Sequence, residues 1–237
     1  MAIIIIGIMT ITQTKNLLFP LWWKVWIVVL LLVFATPSLM ARLIHLPGDE
    51  ERLHLLQGQK VSEEALDSLY HSRFVTSRWF PENDSYNVLS LVALERAQRS
   101  SGEEVKNNLL EADFWERKAL AVSPADPYGW YRLAFIYYRM QGPSLSVALA
   151  WRESMASAPY EPRLIYPRLQ MAMGLGSFLT DEFAKFYVPP LIRDAWNEDP
   201  DRLTKLAKEG AFISEVENAL RGDPKGLASF RQKLKEF

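Results

Sequence analysis

The reading of the fold turns on SPADPYGWYRLAFIYYRMQGP, residues 123–143, where Tyr128, Tyr131, Tyr137, Tyr138, Trp130 and Phe135 crowd between two proline-bearing turns. Trp130, Leu133, Ala134 and Tyr137 fall at i, i+3, i+4 and i+7, so a helix would carry them as one stripe. Ala134 is small enough for a neighbouring helix to approach closely. Tyr131, Phe135 and Tyr138 lie off that stripe, which makes the helix apolar on more than one side. Such a helix belongs between two neighbours, as a central element of a stack. Of its aromatic residues, Tyr128, Tyr131 and Tyr138 are the candidates for lining a partner or ligand groove, because aromatic faces suit apolar side chains and sugar rings.

Outward from this stretch, a carboxylate precedes a proline four times at an expected helix start: Asp126-Pro127, Glu161-Pro162, Asp199-Pro200 and Asp223-Pro224. The carboxylate can accept orphan backbone N–H groups, and proline at the first helical position gives up no needed donor. The first two pairs lie 35 residues apart, and WERKALAVSPADP aligns with WRESMASAPYEP, setting Trp115 beside Trp151 and Pro124 beside Pro159. A period near 34 marks a helix-turn-helix repeat.

The spacing of Trp130, Leu133, Ala134 and Tyr137, with Ala119 and Pro124 before them and Trp151 and Pro159 after, resembles the tetratricopeptide repeat. Residues 127–160 make the best repeat, with one residue inserted near 141–144. The preceding unit keeps its second helix, with Ala112, Ala119 and Pro124. In the following one Ile165 and Arg168 replace the family's Trp and Leu. The resemblance implies a stack of helical hairpins that binds protein partners. Many members clamp a terminal carboxylate with polar side chains one and five residues after the Trp, but here those positions hold Tyr131 and Phe135, so that clamp is not carried over.

The rest of the body, expected over 48–237, also reads as all-α. Acidic first turns in DEERLHLLQ and SEEALDSLYHSRF suit the positive end of a helix dipole. Asp84 offers an N-cap to a helix over 85–99, and SGEE at 101–104 has capping-box spacing for a helix reaching about 122. Residues 163–237 continue as divergent capping helices. In that part Gly174 and Gly176 mark a break, Thr180 offers a cap, Pro189-Pro190 predicts a helix end, and the amphipathic tail ASFRQKLKEF closes the stack.

The N-terminus has a different chemistry. Beyond a short segment at 1–20, the run 21–43 holds one charge ahead of Arg42, Lys24, and is long enough at about 1.5 Å per residue to cross about 30 Å of hydrocarbon. Trp22, Trp23 and Trp26 suit the interface. Lys15 and Lys24 precede the apolar run, and Asp49, Glu50 and Glu51 follow it. The positive-inside bias then predicts a single-pass protein of a bacterial inner membrane, its N-terminus cytoplasmic and its body periplasmic. The rival is a cleaved signal peptide ending near Thr36.

Composition narrows the function. A formal charge of −1 without basic clusters argues against nucleic acid. There is no cysteine, and His45, His54 and His71 have no metal-ligand spacing, so neither a metal site nor a cofactor is expected. Glu111 and Glu116, beside Trp115, are the carboxylates that a periplasmic glycan-cleaving enzyme would need. The membrane segment, the repeat and the IRDAW segment together resemble accessory proteins of bacterial exopolysaccharide or O-antigen synthesis. The expectation is therefore a membrane-anchored, non-catalytic scaffold or adaptor of a cell-envelope complex, its partners being the membrane and protein, with glycan a further candidate. The alternatives are that enzyme, or a structural subunit of a larger membrane assembly.

Overall fold

The computed structural model describes residues 22–36, 39–40, 43, 48–57 and 59–236, and all regular structure among them is helical. The chain divides into two compact units, residues 1–81 and 82–237. The first two helices of the expected body fall in the first unit.

In that first unit, residues 22–36 form helix α1, whose apolar side chains from Trp22 to Phe34 are exposed. Among the described residues no helix is long and apolar enough to cross a membrane. The expected span over 21–43 also includes positions outside the described residues, as does the whole of 1–20. Two further helices follow, α2 (Asp49–Leu56) and α3 (Glu63–Trp79). Ser62 caps α3 by accepting from the Ala65 N–H at 3.2 Å. Arg73, fully buried, donates through Nη2 to Asp49 Oδ1 at 2.6 Å and ties the two helices.

The second unit contains α4 (Asn83–Arg99), α5 (Glu103–Val122), α6 (Pro127–Gln141), α7 (Leu145–Ser157), α8 (Ile165–Leu175), α9 (Asp181–Glu198), α10 (Pro200–Glu209), α11 (Ile213–Ala219) and α12 (Pro224–Glu236). The pairs α4–α5 and α6–α7 are hairpins. Helix α5 also packs on α6, α7 on α8, and α8 on α9. Helices consecutive in the chain from α4 to α9 thus lie against one another. The tail helix α12 packs on α10, with Phe230 fully buried and edge-on to Trp196.

The acid-proline pairs act as start signals. Asp126 accepts from the Tyr128 N–H at 3.0 Å, and Asp199 from those of Asp201 and Arg202 at 3.1 and 3.0 Å. Glu161-Pro162 starts a 3-10 turn, Pro162–Leu164, that leads into α8. Four local expectations change. Thr180 precedes α9 without a side-chain cap bond. Helix α4 starts at Asn83, so Asp84 lies in its first turn rather than at the cap. Helix α5 is preceded by Gly102 at φ +61°, a conformation that favours glycine, and Ser101 makes no capping box. Pro189 and Pro190 lie inside α9 and do not end it. The carbonyls that lose their donors belong to Lys185 and Phe186, both exposed, where water can take the missing bonds.

Helices α6, α7 and α8 meet at a buried polar knot. Trp151, fully buried in α7, donates its indole N–H to the Arg168 carbonyl at 2.9 Å. Arg168, fully buried in α8, gives Nη1 to the Ala158 carbonyl at 2.8 Å, Nε to Ser154 Oγ at 3.0 Å, and Nη2 to the Ser154 carbonyl. Ser154 in turn donates to the Pro127 carbonyl at 2.7 Å. The guanidinium thus satisfies carbonyls at the C-terminal end of α7, where the helix dipole favours a cation. Burial still pushes Arg168 down, to about 10.

Tyrosine hydroxyls extend this network. Tyr128 donates to Glu161 Oε1 at 2.6 Å, and Tyr166 to the carbonyls of Asp199 at 2.6 Å and Ala195 at 3.0 Å. Burial pushes Tyr128, Tyr131 and Tyr166 all up to about 12. An unfolded chain releases these protons near 10, so the folded state binds more protons between pH 10 and about 12, and stability falls as pH rises through that window. Arg168 opposes this trend as one group against three. An absorbance titration of tyrosinate is expected to show at least three residues ionising late, with the urea midpoint falling over the same window; ionisation of every tyrosine near 10 would refute the packing.

Candidate functional site

Helices α5, α6 and α7 leave a groove of about 610 Å³ between them. Its floor is made by the α6 stripe, where Trp130 and Tyr137 are half-buried and Leu133 is buried between them. Leu120 and Ala121 of α5 form one wall, with Leu149 and Ala150 of α7 opposite. Small residues make the opening: Ala121, Ala150 and Ser146 stand where larger side chains would close the gap between neighbouring helices. Trp130 is held by its indole N–H, which donates to the Pro124 carbonyl at 2.7 Å. The position before the capping Asp126 turn therefore fixes the ring at one end of the floor.

Charges border the groove as pairs. Arg117 Nε donates to Asp113 at 2.8 and 3.0 Å, and its guanidinium carbon lies 5.6 Å from the centre of the Tyr137 ring. The hydrogen bond to Asp113 raises the Arg117 pKa, and burial raises that of Tyr137. Arg152 gives both Nε and Nη2 to one oxygen of Glu153 and stacks over Phe183 at 4.9 Å. Cation–π contact of this kind is worth about 0.5–1 kcal/mol at exposed sites, enough to bias the orientation of an arginine without fixing it.

The residues singled out in the sequence separate into two sets. Trp130, Leu133 and Tyr137 line the groove, while Ala119, Ala134 and Trp151 are buried beneath or beside it. Pro124 and Pro159 are exposed at turns. Tyr128, Tyr131 and Tyr138 are not among the lining residues. Tyr128 spends its hydroxyl on Glu161, Tyr131 is half-buried against the core, and Tyr138 reaches α8, where a Cβ on Gly174 would lie 3.2 Å from its hydroxyl oxygen. The walls contributed by Arg117 and Leu149 had a sequence signal in principle: each is an exposed position one repeat face away from the stripe, visible only once α5 and α7 are known to flank α6.

The two carboxylates considered for catalysis have structural partners. Glu111 accepts the Trp115 indole N–H at 3.3 Å. Glu116 is fully buried, with Oε2 2.9 Å from Arg132 Nε and Oε1 3.1 Å from Nη2. Arg132 also donates to Asn87, whose amide donates to Asp126 at 3.3 Å, so α4, α5 and α6 share one network. Burial raises the Glu116 pKa while Arg132 opposes it. Gly129 makes room for the pair, since a Cβ there would stand 3.1 Å from Glu116 Oε1 and 2.9 Å from Leu120 Cδ2. Among the described residues no group of His, Asp and Glu is placed to hold a metal ion. No family model matches this chain, and no curated protein or solved structure matches it either.

The buried pair makes an asymmetric prediction. Glu116→Gln leaves the Arg132 cation underpaired and is expected to destabilise the second unit by about 3 kcal/mol, whereas Glu116→Leu with Arg132→Met is expected to recover most of that loss. Urea denaturation of the two variants checks it. A double variant no more stable than the single one would show that the charges, not the packing, hold the network.

Proposed function

We propose that this protein is a membrane-anchored, non-catalytic scaffold or adaptor that docks a partner protein in a bacterial cell-envelope assembly, with polysaccharide synthesis as the setting that the sequence resemblance favours. The observation that carries this reading is the open apolar groove between neighbouring helical hairpins, in which Trp130 and Tyr137 of α6 stay half-exposed beside the exposed Ala121 and Leu149. Uncovered apolar surface bordered by polar residues is characteristic of interaction sites. Support for an adaptor over a glycan-cleaving enzyme comes from Glu116. A general acid must reach its substrate, and both oxygens of this buried carboxylate are taken up by Arg132.

The anchor is the run 21–43, of which α1 presents its valine, leucine and tryptophan side chains outward with no polar stripe. In this reading they face lipid, Lys24 snorkels to the headgroups, and the hairpin stack lies on the periplasmic side. The test is a reporter active only outside the cytoplasm, fused after Phe237, combined with membrane fractionation. Signal in the membrane fraction is expected, lost to the soluble fraction when 21–43 is deleted behind an unrelated cleavable leader. Signal absent from the full-length fusion, with the protein present, would overturn the periplasmic placement.

A further inference from the structure

The shape and charge of the groove define what it takes. Its two walls are helices and its floor is the ridge of a third, with Trp130, Leu133 and Tyr137 at i, i+3 and i+7. A ridge of that spacing is complementary to the face of another helix, whose own side chains at three- and four-residue intervals interdigitate with it. The apolar surface extends along both walls beyond the groove. On α5 it continues with Leu110 and Phe114, 46% and 51% exposed and one turn apart, and on α7 with Leu145, 56% exposed and one turn before Leu149. An elongated lane fits a rod better than a compact small molecule.

Charge selects among such rods. The charged side chains lining the groove are Arg117, Arg152 and Glu153. Glu153 is taken up by Arg152, and Arg117 meets Asp113 through Nε with Tyr137 beside it, yet its side chain is 61% exposed and can turn its guanidinium edge to an incoming carboxylate. An arginine fork at the edge of an apolar site is suited to an acid on the partner.

We infer that the groove between α5 and α7 receives an amphipathic helix of the partner protein, one whose apolar face is flanked by Asp or Glu that meets Arg117. This rests on the adaptor reading and sharpens it: apolar anchors enter between Ala121 and Ala150, and the acidic edge sets which way the helix lies. Affinity would come from the buried anchors, and orientation and rate of encounter from the charge.

The experiment places a photo-crosslinking phenylalanine analogue at Leu149 of the full-length protein in its native membrane, and a second one at Phe186, which is 69% exposed on α9 and outside the groove lining. Crosslinked peptides are sequenced. The expected result is a product at Leu149 mapping to a segment with apolar residues at helical spacing and an acid beside them. Its yield should fall about tenfold with Arg117→Glu while the chain stays folded by circular dichroism. A basic or non-helical segment, a lipid or a glycan at Leu149 would overturn the inference. So would a yield unchanged by Arg117→Glu. Capture at Phe186 with none at Leu149 would refute the groove and leave an adaptor in place; no protein product at either position would count against both.

Discussion

The second unit depends on a guanidinium placed where water cannot reach it. Arg168 has no carboxylate partner at hydrogen-bond distance; instead it gathers the Ser154 hydroxyl and two carbonyls from the C-terminal end of α7, while its own carbonyl receives the Trp151 indole. A buried cation is costly unless its donors are satisfied, and here the satisfaction comes from the last turn of α7. That requirement sets the angle at which α8 crosses α7 and, through Ser154 and Pro127, the start of α6. The groove shares α6 and α7 with this cluster, so the knot helps to set the placement of its floor and of one wall.

A second polar link does the same job one step earlier in the chain. Glu116, Arg132, Asn87 and Asp126 join α4, α5 and α6. Both links are anchored at acid-proline turns: Asp126 caps α6, and Glu161 accepts from Tyr128 just before α8. Each turn therefore starts a helix and also fixes how that helix meets its predecessor. Stacked repeats usually rely on apolar contact between neighbours. Here two arginines, the largely buried Arg132 and the fully buried Arg168, add directional bonds at the junctions on either side of the α6–α7 hairpin.

Much of this architecture was legible in the sequence because its signals are local. The acid-proline pairs mark helix starts through the chemistry of one side chain and one missing N–H, and the Trp130–Tyr137 stripe marks a helix through its spacing. What was not legible depends on neighbours. Pro189 and Pro190 read as a helix end because proline removes bonds, yet α9 continues where the orphaned carbonyls lie on exposed residues. Arg168 read as a lapse in the repeat, standing where Leu is expected, and is instead a buried hub. The groove eluded reading for the same reason. The stripe marks Trp130, Leu133 and Tyr137 as packing residues, and they do pack on the core, but how far Trp130 and Tyr137 stay exposed depends on their neighbours across the gap.

In the proposed role this unit works by the surface it presents rather than by a reacting group. A saturation mutagenesis scan of residues 82–237 in the native host, reading envelope fitness alongside protein abundance, tests it most directly. The account predicts that substitutions harming fitness at normal abundance gather on the groove, at positions such as Arg117, Trp130, Leu149 and Ala150. Loss at normal abundance confined to a single carboxylate, Glu111 or Glu116 above all, would contradict it and point to catalysis.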